Sequence, residues 1–102
     1  MKYDKIVRDR IPEIIRGQGK VSVTYIAEPE EAYHKLKSKL EEEIAEFQGS
    51  NNPEELADLL EVIYALADYL GLSKEKLEEI RGKKCLERGG FKERIVLTEV
   101  LD

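Results

Sequence analysis

Acidic side chains recur at a spacing of three residues in two neighbouring segments of the chain. Glu43 and Glu46 stand in the first segment, and Glu55 and Asp58 stand in the second. In a helix, residues three apart share a face, so each pair would present both carboxylates on one side. Four carboxylates brought together must hold a proton or bind cations, because they repel one another and lose hydration. An oxygen-only ligand set of this kind suits Mg²⁺ or Mn²⁺ rather than zinc.

Two long amphipathic helices are predicted to carry these acids. Residues 29–48 have helical periodicity and end at a turn-forming Gly-Ser-Asn-Asn cluster. Asn52 is then a predicted N-cap, with Pro53 in the first helical position of a second helix that runs to Leu70. Because the connecting turn is short, we expect the two helices to pack antiparallel through their apolar stripes and to bring the acidic pairs together.

Helical projection distinguishes the unusual acids from the ordinary ones. At about 100° per residue, Glu43 falls inside the apolar stripe of the first helix and Glu55 inside that of the second. Glu41 and Glu61 project to the opposite, solvent-facing sides. A solvated charge run explains Glu41 but not Glu43. The alternative for Glu55 is a capping-box role, since it lies three residues after Asn52.

Basic residues cluster near the end of a third predicted helix, which begins after Ser73 and ends near residue 88. Lys84 and Arg88 lie one turn apart there, directly before Gly89 and Gly90. Such cations can grip phosphate oxygens. The alternative is that they complement the helix dipole and keep the surface soluble. A metal-binding acidic cluster, together with basic residues that bind phosphate, predicts a site for a polyphosphate.

The remaining segments predict a mainly α fold with a small β element. A short helix is expected over residues 11–16, a strand over 21–25, and a strand-like tail over 91–101 that pairs with it. We expect an antiparallel helical bundle and a single domain spanning residues 1–102.

Composition narrows the class of protein. The chain has 22 acidic and 17 basic residues and a formal net charge of -5, which disfavours a nucleic-acid polymer as partner. Its apolar stretches are too short for a membrane span, and its single cysteine forms no intrachain disulfide. We therefore expect a cytoplasmic protein.

The motifs resemble those of the MazG-like all-α nucleoside triphosphate pyrophosphohydrolases. Residues 39–46 (KLEEEIAE) and 54–58 (EELAD) are similar to the EExxE and ExxD signature of that superfamily, which includes phosphoribosyl-ATP pyrophosphohydrolase and the all-α dUTPases. The opening 5–15 (KIVRDRIPEII) and the late 88–91 (RGGF) look like the ends of a short, single-domain branch. The resemblance therefore extends over nearly the whole chain.

The resemblance implies Mg²⁺-dependent attack of water at the α-phosphorus, releasing a nucleoside monophosphate and pyrophosphate. It implies metal binding by Glu43, Glu46, Glu55 and Asp58, and phosphate binding by Arg8, Lys84 and Arg88. Glu42, Glu43 and Glu46 are the candidates for activating the water, and the sequence does not choose between them. Homodimers or homotetramers, in which the helices form larger bundles, are also implied.

The resemblance favours a pyrophosphohydrolase that cleans the nucleotide pool. Two alternative functions stay open. The first alternative is phosphoribosyl-ATP hydrolysis. The second is a non-catalytic helical adaptor, in which the acids only make a bundle soluble or specify its partner.

Overall fold

The computed structural model describes residues 4–102, and its regular structure is entirely helical. Four helices follow one another along the chain, with bounds α1 Ile11–Gly17, α2 Pro29–Ser50, α3 Pro53–Tyr69 and α4 Lys74–Arg88. All four helices predicted from the sequence are confirmed, with ends that differ by no more than about two residues, the usual uncertainty at helix ends. None of the helices in residues 4–102 combines the length and the apolar character needed to cross a membrane.

The connection between α2 and α3 is short because its residues have the required backbone chemistry. Asn51 adopts the left-handed conformation, with φ of 57°, at the C-terminal end of α2. The Asn52 side chain accepts a hydrogen bond from the Glu54 backbone N–H at 3.0 Å, and Pro53 occupies the first turn of α3. The predicted N-cap is therefore confirmed.

Helices α2 and α3 pack against each other as a hairpin, and contacts near both ends define their arrangement. Tyr33, near the start of α2, stacks on Tyr69 at the end of α3, with ring centroids 4.2 Å apart. At the other end, carboxylates of Glu43 and Glu55 approach each other beside the connecting turn. Helix α4 contacts α3 and no other helix in the described residues.

The hairpin leaves most of its apolar surface uncovered. Val62 and Ala67, both in α3, are the buried apolar residues of the described chain. Apolar positions of the predicted stripes, such as Ile44 and Leu56, are still more than a third exposed. The radius of gyration is 18.0 Å, whereas a compact domain of this length has about 13 Å. A single chain therefore buries little of the apolar surface that its sequence provides.

The predicted small β element is not present within residues 4–102. Residues 21–25 and 91–101 are irregular, and no backbone hydrogen bond joins the two segments. Alternating apolar residues are not sufficient for a strand, because its backbone N–H and C=O groups need a partner. Side chains in both segments are largely exposed, including Val23 at 94% and Phe91 at 97%.

Candidate metal centre

The four predicted metal-binding acids meet beside the connecting turn of the hairpin. Two overlapping groups of carboxylates form there, and within each group one oxygen from every residue lies within 4.8 Å of the others. The first group lies on α2 and contains Glu42, Glu43 and Glu46. The second group joins α2 to α3 and contains Glu43, Glu55 and Asp58. Glu43 is therefore the residue common to both groups. We call these five residues the acidic cluster.

Glu43 is the most unusual member of the acidic cluster because it is buried. Its exposed fraction is 5%, and its Oε2 atom has no hydrogen-bond partner in the described residues. Lys39, one turn earlier in α2, lies 3.4 Å from the other oxygen, Oε1. A buried carboxylate oxygen without a donor is costly unless something else binds it. The geometry therefore leaves one oxygen of Glu43 free to bind a cation.

Glu55 has the same feature on the opposite helix. Its Oε2 atom is also buried without a hydrogen-bond partner in residues 4–102. The capping-box alternative would have its side chain accept from the Asn52 backbone N–H, but that group donates to the Ser50 hydroxyl at 3.1 Å. Glu55 is thus available to the acidic cluster rather than to the helix end.

Burial and repulsion by neighbouring acids both raise the pKa of Glu43 and of Glu55. Burial, followed by the charge of Glu46, raises the pKa of Glu43, although Lys39 partly opposes the shift. The pKa of Glu55 is also raised, first by burial and then by Glu46 and its other acidic neighbours. A raised pKa at both positions means that the ionised cluster is electrostatically unfavourable without added positive charge.

Cations from the N-terminal segment, residues 4–10, supply part of that charge. The Arg8 guanidinium donates to Asp58 Oδ1 at 2.6 Å, and Lys5 donates to Glu42 Oε1 at 3.3 Å. Lys39 also lies 3.6 Å from the same Glu42 oxygen. The structure therefore brings Arg8, a predicted phosphate-binding residue, directly to a predicted metal ligand.

Lys5, Lys35 and Lys39 were not predicted as part of the site. Lys35 Nζ donates to the Asp4 backbone carbonyl at 3.2 Å and lies 3.4 Å from its carboxylate. Lys35, Lys39 and Glu42 are spaced three or four residues apart, so they share one face of α2. This row of charged side chains is the sequence signal that could have identified the two lysines of α2.

The other two predicted phosphate-binding residues lie on a helix that does not contact α2, which carries Glu42, Glu43 and Glu46. Lys84 and Arg88 are exposed on α4, which does not contact α2. Arg81 precedes both residues in α4. Its guanidinium donates hydrogen bonds of 2.6 to 3.0 Å to Glu78 of the same helix. Within one chain, Lys84 and Arg88 therefore do not form a common site with the acids of α2.

The acidic cluster has the donor chemistry that a hard divalent cation requires. All its ligand atoms are carboxylate oxygens, and two of them are buried without donors in the described residues. Mg²⁺ binds such oxygens while it keeps several waters, which the exposed side of Glu46 would admit. No histidine or cysteine belongs to the cluster, so it is not suited to zinc.

Comparison with known proteins gives one short similarity. A stretch of 47 residues is 40% identical to a protein of Mycolicibacterium smegmatis that is described as uncharacterized. This stretch covers 46% of the chain and 48% of that protein, so the chain spans about half the length of the curated relative that it matches. No protein-family model matches the chain, and no solved structure matches it.

Proposed function

We propose that the protein is a Mg²⁺-dependent nucleoside triphosphate pyrophosphohydrolase of the MazG-like type. The observation that carries the proposal is the buried, unpartnered oxygen of Glu43, which lies among four other acids of two helices. Arg8 supports the proposal because it brings a guanidinium to Asp58 at the same point. A site with carboxylates and an adjacent guanidinium suits an anion that arrives together with a metal ion.

When bound, Mg²⁺ neutralises charge that develops on the leaving pyrophosphate. The protein itself would hold the metal and the phosphates in fixed positions relative to each other. Glu43 and Glu55 would bind the metal through their unpartnered oxygens, with Glu46 and Asp58 completing the ligand set. Arg8, once it leaves Asp58, would donate to a phosphate oxygen.

Among the three candidates for activating the water, Glu46 has the most suitable surroundings. Its side chain is exposed, so it can reach solvent water beside the metal. Glu43 is buried, and the half-buried Glu42 has Lys39 of its own helix 3.6 Å from its Oε1 atom. We therefore assign to Glu46 the role of orienting the water that attacks the α-phosphorus, with the proton passing to its carboxylate.

We also propose that the chain works as a homodimer or homotetramer in which the hairpins form an antiparallel bundle. The support is the small core together with the many exposed apolar side chains of the hairpin, α4 and the tail. A second copy could cover these surfaces through closed symmetry. In such an assembly, Lys84 or Arg88 of one copy would reach phosphates held by its partner.

The small β element is part of the same proposal. Residues 21–25 have the alternating pattern that favours a strand, and residues 91–101 have β-branched content. No backbone hydrogen bond pairs the two segments in the described chain. Pairing between copies would satisfy their backbone groups and cover Val23 and Phe91.

Side-by-side assays test the proposed activity. ATP, the other common nucleoside and deoxynucleoside triphosphates, and phosphoribosyl-ATP would each be incubated with the protein in Mg²⁺ or in excess EDTA. We expect pyrophosphate and a nucleoside monophosphate to form in Mg²⁺ alone, and in H₂¹⁸O the label should enter the monophosphate. Release of orthophosphate, or no turnover of any substrate, would contradict the proposal.

A further inference from the structure

A cavity that the acidic cluster does not explain lies between the N-terminal segment and the irregular segment of residues 23–27. Its volume is about 380 Å³, which lies within the range of small-molecule sites, about 300 to 1,000 Å³. Helix α2 forms one side through Ala32 and Lys35, and Pro12 of α1 contributes another part of the wall. The cavity is thus built from the N-terminal segment, α1, residues 23–27 and α2.

The walls of this cavity combine apolar surface with a few polar groups. Val7, Ile26 and Ala27 provide aliphatic contact area, and Tyr25 contributes an aromatic ring. The Tyr25 hydroxyl donates to Glu31, which holds the ring by its outer end. Thr24 adds a hydroxyl. Ile26 and Tyr25 are 95% and 63% exposed, so their apolar surface is accessible to a ligand. Such a lining offers a heteroaromatic ring apolar contact area and hydrogen-bonding groups.

Two cations connect the cavity to the acidic cluster. Lys5 and Arg8 both line the cavity, and the same two side chains donate to Glu42 and Asp58, respectively. The two sites therefore share one wall, on which these two cations lie beside the carboxylates of Asp4 and Asp9. Both ion pairs are more than half exposed on their basic side, so they are weakly held and can exchange partners.

We propose that this cavity is the nucleoside subsite of the substrate, and this inference rests on the proposed function. The base and sugar occupy the space between the N-terminal segment and residues 23–27. The phosphate chain runs from there past Lys5 and Arg8 to the metal at the acidic cluster. Lys5 and Arg8 would release Glu42 and Asp58, which would help to hold the metal, and would donate to phosphate oxygens instead. The N-terminal segment thereby determines which nucleosides are accepted.

Nuclear magnetic resonance of the chain of residues 1–102 tests where the nucleoside lies. In Mg²⁺, the protein would be titrated with each of the common nucleoside triphosphates and, separately, with inorganic tripolyphosphate. We expect tripolyphosphate to shift backbone amides of residues 5–8 and of the acidic cluster alone. At least one nucleotide should shift those amides and also the amides of residues 23–27. Identical shift patterns for nucleotides and tripolyphosphate, or no shifts from either, would overturn the proposal.

A filled cavity provides the second test. Ala32→Phe adds a ring from the helical side, while His34→Phe adds the same ring to an exposed position of α2 that does not line the cavity. We expect Ala32→Phe to raise KM for the nucleotide at least tenfold with unchanged inhibition by tripolyphosphate, and His34→Phe to change neither. An unchanged KM in Ala32→Phe, with Mg²⁺-dependent turnover intact, would overturn the subsite and leave the proposed function standing. Nucleotide-specific shifts at residues 23–27 without any turnover would overturn the proposed function and leave the subsite standing.

Discussion

The guanidinium of Arg8 donates to the carboxylate of Asp58 over 2.6 Å, although the two residues are 50 positions apart in the chain. Asp58 belongs to the acidic cluster, so this contact ties the N-terminal segment to the candidate metal centre. Side chains of both residues are about half exposed, at 54% and 41%. Such a pair contributes little to stability, and it is therefore better suited to exchange than to structural support.

Removing the Arg8 guanidinium should affect substrate binding rather than metal binding. We expect Arg8→Gln to raise KM for the nucleoside triphosphate about tenfold, because one charge-assisted hydrogen bond to phosphate is lost. Mg²⁺ affinity should not fall, because Asp58 becomes free. Arg10→Gln is the matched control, since Arg10 pairs with Glu13 of α1 instead. Equal effects in the two variants, or a loss of Mg²⁺ affinity in Arg8→Gln, would contradict the exchange.

Replacing Glu43 by glutamine should separate activity from stability. We expect turnover to fall at least about a hundredfold, because a metal ligand is lost. The metal-free protein should nevertheless melt about 4 °C higher at neutral pH, the shift that about 1 kcal/mol gives in a domain of this size. Thermal melts in EDTA and a pyrophosphate assay measure the two effects.

Two neighbouring acids serve as controls for Glu43→Gln. Glu41 and Glu61 are exposed and outside the acidic cluster, so Glu41→Gln and Glu61→Gln should keep nearly full activity and an unchanged melting temperature. Activity loss in either control, or full activity in Glu43→Gln, would show that the site is assigned to the wrong face of the hairpin.

The raised pKa values of Glu43 and Glu55 predict how pH and Mg²⁺ act together. The folded, metal-free protein holds these protons more tightly than the unfolded chain. This stabilisation is complete below the ordinary glutamate pKa of about 4.3 and is lost as pH rises through the raised values. Mg²⁺ binds the ionised carboxylates, so its stabilising effect should grow over the same interval. Melting curves with and without Mg²⁺ at about pH 5 and about pH 7.5 test this, and an equal or larger Mg²⁺ effect at the lower pH would contradict it.

Local sequence signals predicted the helices and their acidic faces well. Pro53 after Asn52 determined where α3 begins, and helical spacing placed Glu43 in the apolar stripe where the structure finds it buried. These features depend on neighbours within one or two turns, which is the range over which periodicity and capping operate.

Long-range partners could not be predicted in the same way. The contacts of Lys5 and Arg8 with the acidic cluster depend on the path of an irregular segment, which has no periodicity. Likewise, residues 21–25 have the alternation of a strand, but the single chain supplies no partner for them in the described residues. Alternation reports which side chains could share a face, and it does not report whether a second strand is present.

Assembly and shared sites can be tested by mixing two inactive variants. We expect wild-type protein to be a dimer or tetramer by light scattering, because Leu86 and the tail are largely exposed in one chain. Asp58→Asn damages the acidic cluster, and Lys84→Ala removes a cation of α4. If the site takes its acids from one copy and Lys84 from the other, co-assembly should restore part of the activity. A monomer at micromolar concentration would contradict both the assembly and the shared site.

Calorimetric titration with Mg²⁺ tests the acidic cluster most directly, because it requires no knowledge of the substrate. We expect wild-type protein and Glu41→Gln to show the same saturable site, and Glu43→Gln to lose it or bind at least about tenfold more weakly. Heats that do not saturate in the wild-type protein would indicate a non-catalytic helical adaptor and would contradict the metal centre. An unchanged site in Glu43→Gln would contradict the central role of that buried carboxylate.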